Sequence, residues 1–542
     1  MKNRFIAFFG LFLFFETFAS AETVYFFYVQ LTDKNNTPYS ISAPTAFLSQ
    51  RAIDRRTAMG ISCDSTDLPL QPNYVKQIGS MGVSIHSKSK WLNGLTVTTT
   101  DTSMIAQIRN LSFVKNVNLT AKIDFPDPKL SRVKSANDLY VYGIADKQIS
   151  QLNGKVLHNQ GYTGKGIQIA VIDAGFYNAD KNSRLDSLRL QGRLLGTKDI
   201  ITPGNNVYAE DSHGANVLSI MAGDYPNQYL GTAPKASYWL IRTEYAPTET
   251  RAEVDFWVAG IEFADSVGVD VVNSSLGYSE FDSVPTNFSY ADMNGKVSRA
   301  SIAATMAAQK GIIVTISAGN EGNDAWKYLS SPADADDIFT VGAATSTGSP
   351  SYFSSFGPSF DGRIKPDISA MGSATAYVDN SGNVATGNGT SYATPVMAGM
   401  LACYLQFVKS NLTQYSIADI RQAVLKSGSL YATPDAQLGY GFPDFQVAMN
   451  NILASNALKN NTASNLYLYY QFESKQLKLK IPYEYFDNTM RIRIFNLMGN
   501  VLIDNLIYNI DSNIAVNSLL PGMYVASING KKINNSIKFV VP

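Results

Sequence analysis

Four short stretches carry the residues with which this chain could do covalent chemistry on a carbonyl. In GNGTSYATPVMAG, Gly387 to Gly399, a lone hydroxyl, Ser391, stands at the mouth of a nearly uncharged segment. A serine hydroxyl is a weak nucleophile until a neighbouring base takes its proton, and near neutral pH that base is usually histidine. The chain has 3 histidines, so elimination is informative. His86 lies in the N-terminal region and His158, in LHNQGYTGKG, precedes the first apolar run of the central region. That leaves His213 in DSHGANVLSIMAG, where Ser212 or Asp211 can cap a helix with Val217, Leu218, Ile220 and Met221 on its inner side. A catalytic imidazole needs an orienting carboxylate, and IQIAVIDAGF puts Asp173 at the end of an apolar run, where an unpaired charge would be costly. Acyl transfer also builds charge on the substrate oxygen, which prearranged donors stabilise. Asn320 in GIIVTISAGNEG offers one donor, and the Ser391 N–H at a helix start offers another. Taken singly, each has a plainer reading: a structural histidine in a first turn, a carboxylate capping a turn, an Asn-Glu-Gly turn.

These residues need a scaffold that brings them together. Between about Gly143 and Asn450, short β-branched runs (IQIAVID, VDVVNSS, GIIVTIS, DIFTVGA) alternate with helical segments such as EVDFWVAGIEFADSVG and SRASIAATMAAQKG. Runs that are apolar throughout imply burial on both faces, so the expectation is an α/β domain with a parallel sheet flanked by helices. In such sheets ligands bind beyond the carboxyl ends of the strands, where Asp173 and Asn320 lie.

IAVIDAGF, HGANVLSIMAG, SAGNEG and GTSYATPVMAG, in the order Asp, His, Asn, Ser, resemble the motifs of subtilisin-like serine proteases. That order is known for subtilisin, so it is recognised rather than predicted. The likeness spans roughly Gly161 to Ala448 and includes GTAPKA, VVNSSLG and RIKPDISAMG; it departs at Ala174, where the family usually has Thr or Ser. It implies a secreted endopeptidase in which Ser391 attacks, His213 acts as base and then acid, Asp173 orients it, and Asn320 completes the oxyanion hole. It also implies that Ser274, Ser275, Leu276 and Gly277 pair with an extended substrate, while Ala318 and Gly319 line the opposite wall of the specificity pocket. Gly387 and Gly389 would leave room for the peptide carbonyl. The reading from another class is an inactive surface-binding protein that kept the fold; a lipase or esterase would place a histidine after the serine, and none follows Ser391.

The flanks fit an exported protein. MKNRFIAFFGLFLFFETFASA, residues 1–21, has the three-part layout of a signal peptide, and its apolar run, Phe5 to Phe15, is too short to span a bilayer. Residues 22–121 form an α+β unit resembling the family's inhibitory propeptide, the polar residues 122–142 form a linker, and self-cleavage is expected between about Asn118 and Tyr142. A second linker covers 451–465. Residues 466–542, with turns at Gly499-Asn500 and Asn529-Gly530, should form a β-sandwich resembling the sorting domain of type IX secretion substrates. Partners would then be peptide substrates, the chain's own propeptide and outer-membrane secretion machinery, in a Gram-negative bacterium. Lys+Arg and Asp+Glu are both 44, which excludes a basic field for nucleic acid. No cofactor is called for; the acidic DADD, Asp334 to Asp337, could hold calcium, though a solvated acidic turn is the plainer reading. Cys63 and Cys403 are expected to stay unpaired.

Overall fold

The computed structural model describes residues 23–123, 142–202, 204, 206–225, 227–461, 467–471, 474–481, 486–487, 489–496, 499–531 and 534–541. The expected signal peptide and most of the first linker lie outside these residues.

The N-terminal unit is a four-stranded antiparallel sheet made of β1 (Val24–Leu31), β2 (Ser84–Ser89), β3 (Gly94–Thr99) and β4 (Val114–Ile123), in the order β2-β3-β1-β4. Helices α1 (Gln50–Ala58) and α2 (Pro72–Gly79) join them. The unit runs two residues past the expected boundary, because Val24 of β1 pairs with Ile123. Phe27, Val29, Leu95, Val97 and Val117 form its own core. Phe26, Trp91, Ala121 and Ile123 instead join a core of the central domain, so the N-terminal sheet is packed against that domain.

The central domain holds a seven-stranded sheet of β5 (Gln168–Asp173), β6 (Leu194–Asp199), β7 (Ser237–Arg242), β8 (Val271–Ser274), β9 (Ile313–Ser317), β10 (Phe339–Ala344) and β11 (Ile368–Met371). Its order is β11-β10-β9-β8-β5-β7-β6, and every neighbouring pair is parallel. The four apolar runs read from sequence are β5, β8, β9 and β10. One apolar cluster lies on each side of the sheet, one built around α3 (His213–Ala222) and α6 (Thr390–Asn411), the other around α4 (Arg251–Val267) and α5 (Arg299–Gln309). Gly268 ends α4 in the left-handed region, at φ +86, where a side chain would be strained.

The polar stretch expected to be a linker after Asn450 is helical as far as Asn461, within α7 (Phe445–Asn461). Its Met449 and Ile452 are buried in a core of the central domain. Beyond it, strands Tyr467–Gln471, Gln476–Lys480 and Asp511–Ala515 form one antiparallel sheet. Strands Arg491–Phe495, Val501–Leu506, Gly522–Asn529 and Asn534–Val541 form a second, and the two enclose a separate core. Among the described residues, no helix is long and apolar enough to cross a membrane.

Candidate active site

Asp173 is the last residue of β5 and is fully buried. Its Oδ1 accepts from the Ala174 N–H at 2.8 Å and faces His213 Nδ1 at 2.7 Å. Oδ2 is buried with no hydrogen-bond partner among the described residues, and Ala174 brings only a methyl where a hydroxyl could have donated. His213 opens α3, and its own N–H donates to Asp211 at 2.6 Å, so the cap is the aspartate rather than Ser212. Burial pushes the imidazole pKa down, but the charge and hydrogen bond of Asp173, with the charge of Asp211, outweigh it and raise the pKa above its ordinary value. An aspartate that holds Nδ1–H leaves Nε2 as the basic nitrogen.

Ser391 lies in the first turn of α6, where backbone N–H groups have no partner within the helix. Gly389 precedes it at φ +152, and a Cβ there would sit 2.8 Å from Ser391 Oγ. The space over Gly387 is not open to a substrate carbonyl as expected: a Cβ would meet the Tyr392 ring at 2.8 Å. That ring also lies edge-on to His213, with centroids 6.3 Å apart. Pro395 contributes no N–H, so it cannot bond the Ser391 carbonyl four residues earlier. Ser275 Oγ donates to that carbonyl instead, at 2.9 Å. No hydrogen bond joins Ser391 Oγ to His213 among the described residues; such contacts often tighten only when substrate binds.

Asn320 follows β9 and is exposed. Its Oδ1 accepts from the Thr390 N–H at 2.8 Å and the Thr390 hydroxyl at 3.0 Å. Because an N–H must meet an acceptor, this fixes which amide atom is oxygen and turns Nδ2 away from Thr390. Thr390 is the residue that sequence reading missed; its position beside the serine was the available signal.

Among the substrate-wall candidates, Ser274 Oγ accepts from Trp257 Nε1 at 2.9 Å, and the Ser275 hydroxyl serves Ser391, so both side chains are structural. The N–H groups of Ser275, Leu276 and Gly277 have no backbone partner among the described residues. Ala318 is buried and its N–H donates to Val341 O, while the Gly319 N–H turns back to the Thr390 hydroxyl at 3.3 Å.

The other histidines have structural partners. His86 Nε2 contacts the Ile201 carbonyl at 3.0 Å, and His158 lies between the Tyr142 hydroxyl and the Thr232 carbonyl, with burial holding its pKa down at about 4. Both cysteines are unpaired. Asp334 is no solvated turn: it is fully buried, with Ser301 donating at 2.5 Å and the Gly295 N–H at 2.6 Å, and Asp336 pairs with Arg363 at 2.8 Å. Glu244, Glu249 and Glu253 bring carboxylate oxygens within 4.8 Å of one another. Burial, then repulsion from neighbouring carboxylates, raises Glu249 to about 7 and Glu253 to about 8, so protons relieve part of the repulsion near neutral pH.

Residues 164–441 match the family described as Subtilase family, residues 26–137 the Peptidase S8 propeptide domain of Bacteroidota, and residues 474–542 the secretion system C-terminal sorting domain. The chain is 28% identical over 326 residues to Subtilisin NAT of Bacillus subtilis subsp. natto, covering 59% of this chain and 76% of that protein. It is 29% identical over 303 residues to Subtilisin of Bacillus pumilus, covering 55% and 97%. A solved structure of the prenylagaramide maturation protease PagA is similar at 20% identity and TM-score 0.44, covering 55% of this chain and 98% of that one.

Proposed function

The chain belongs to the subtilase family of serine endopeptidases, and on that premise we propose that Asp173, His213, Ser391 and Asn320 carry out peptide-bond cleavage. His213 Nε2 takes the Ser391 proton as Oγ attacks the scissile carbonyl. The oxyanion is held by the Ser391 N–H and Asn320 Nδ2. The C–N bond then breaks as His213 returns the proton to the leaving amine, and water hydrolyses the acyl-enzyme by the same proton transfers in reverse. The 2.7 Å contact of His213 Nδ1 with a fully buried carboxylate carries this reading, because it presents a basic Nε2 on the helix packed against α6.

The chain has a propeptide and a sorting domain and is a secreted or cell-surface enzyme of a Gram-negative bacterium. We propose further that it is a zymogen which cuts itself between Asn118 and Tyr142, and that the sorting domain engages outer-membrane machinery without serving catalysis. The test of the site is labelling with an active-site-directed serine reagent followed by peptide mapping. Label on Ser391 with loss of peptidase activity is expected; an active enzyme without label there overturns the assignment.

A further inference from the structure

A buried cluster of charges lies far from the proposed active site. Asp265, near the C-terminal end of α4, is fully buried. Arg55 of α1 reaches its Oδ1 at 2.5 Å, Arg56 contacts both its oxygens at 2.8 and 3.0 Å, and Lys90 lies 3.5 Å away. Among the described residues, all the cations within 4 Å of Asp265 therefore come from the propeptide. Arg55 also donates to the Val269 carbonyl at 2.6 Å, and Arg51 donates to the Gly268 carbonyl at 2.9 Å and pairs with Asp270. These carbonyls close the C-terminal end of α4, where helix dipoles favour positive charge. A pair of opposite polarity fixes the register, because Lys310 of the central domain meets Asp67 of the propeptide at 3.0 Å. Asp270 just precedes β8 and accepts the Gln168 N–H at 2.9 Å. The cluster thus sits at the amino ends of strands whose carboxyl ends carry the catalytic candidates, one strand length or roughly 17 Å away.

We propose that this acidic end of α4 is a recognition site for the arginines of α1, and that it sets how long the propeptide stays bound once the linker is cut. The inference rests on the zymogen reading but not on the chemistry of the active site. Phe26, Trp91, Ala121 and Ile123 supply apolar contact, whereas the buried charges resist separation, since each must be solvated again before the surfaces part. After release Asp270 keeps Lys409 at 2.6 Å, and Asp265 keeps no cation among the described residues.

The test uses the full chain carrying Ser391→Ala, which should not cut itself, with a recognition sequence for an exogenous protease inserted between residues 124 and 141. After that cut, confirmed on a denaturing gel, the propeptide fragment should co-elute with the rest of the chain, and its dissociation is timed by native mass spectrometry. Arg55→Ala and Asp265→Asn should each speed dissociation about thirtyfold or more, the lower bound for truncating one side of a buried pair. Lys115→Ala, at an exposed propeptide position, should change nothing. If Arg55→Ala fails to fold, Arg51→Ala decides, because its side chain is 35% exposed at the rim of the cluster. Immediate loss of the fragment from the chain with an intact clamp, or wild-type dissociation in both folded arginine variants, overturns the proposal. Neither result bears on whether Ser391 is the nucleophile.

Discussion

Thr390→Val tests whether the oxyanion donor is held in place by the residue before the nucleophile. Valine keeps the shape of threonine and removes only the hydroxyl, at a fully buried position. That hydroxyl meets Asn320 Oδ1 at 3.0 Å and the Gly319 carbonyl at 3.1 Å, and accepts the Gly319 N–H at 3.3 Å. The Thr390 N–H still holds Asn320 at 2.8 Å, so the amide loses one of two anchors rather than both. One lost hydrogen bond is worth about 1 kcal/mol net, and the stranded Gly319 N–H costs about 1–3 kcal/mol of stability. If the anchor's energy is felt mainly in the transition state, turnover on a short peptide should fall about fivefold to tenfold with KM nearly unchanged. Asn320→Ala should cost about a hundred- to a thousand-fold, as loss of one oxyanion donor does in subtilisin. The decisive assay is the double variant. If Thr390 acts through Asn320, adding Thr390→Val to Asn320→Ala should lower kcat no further. Unchanged turnover in Thr390→Val, or a double variant in which the two losses multiply, would refute the argument.

Ser391→Ala should abolish peptide cleavage and accumulate with residues 22–121 attached; the same mature N-terminus as wild type, by mass spectrometry, would rule out self-processing. The acid limb of kcat/KM should lie above 6.5, because His213 must be neutral to accept a proton and its pKa is raised, so activity is lost as pH falls through the folded value. Asp211→Asn should move that limb downward, and an unmoved profile would contradict the contribution of Asp211. Truncation after Asn461 should leave turnover of purified enzyme nearly unchanged and strand the protein in the periplasm. Truncation after Asn450 should instead destabilise the enzyme by about 2–5 kcal/mol, as for other buried aliphatic losses, since it removes Ile452 and the Asn456 hydrogen bond to Gln414 O at 2.6 Å. Thermal melts and cell fractionation separate these outcomes.

The strands that position the site were legible because burial on both faces makes their runs mostly apolar and β-branched, with Asn273, Thr315 and Thr340 as the buried polar exceptions. A polar residue at or just past each run marks its carboxyl end, as at Asp173, which closes QIAVID, and Asn320, three residues after IVTIS. Strand β6, LLGTKD, escaped the same reasoning because it lies at the sheet edge and is half-exposed along most of its length, so it shows no continuous apolar run. α7 was hidden by its asparagines, because Asn451 and Asn456 find inward partners in the Ala423 and Gln414 carbonyls while Met449 and Ile452 are buried in the core. The run QRAIDRRTA looks like a solvated helix until Asp265, 210 positions from Arg55, is brought beside it.

What fixes the nucleophile shows the same division. Pro395 inside an apolar helix signals a carbonyl left without its usual donor, and the sequence names that carbonyl as belonging to Ser391 by counting back four residues. Ser275 in VVNSSLG signals a hydroxyl at a strand end. Each is readable alone, yet nothing in the spacing of 116 residues joins them. The parallel register does, because it places the end of β8 beside β5 on one side and β9 on the other, under the first turn of α6. Replacing Ser275 with Ala should therefore reach the reaction through the Ser391 backbone: its carbonyl would lose its only side-chain donor among the described residues, and the first turn of α6 would loosen where the nucleophile and one oxyanion donor share a residue.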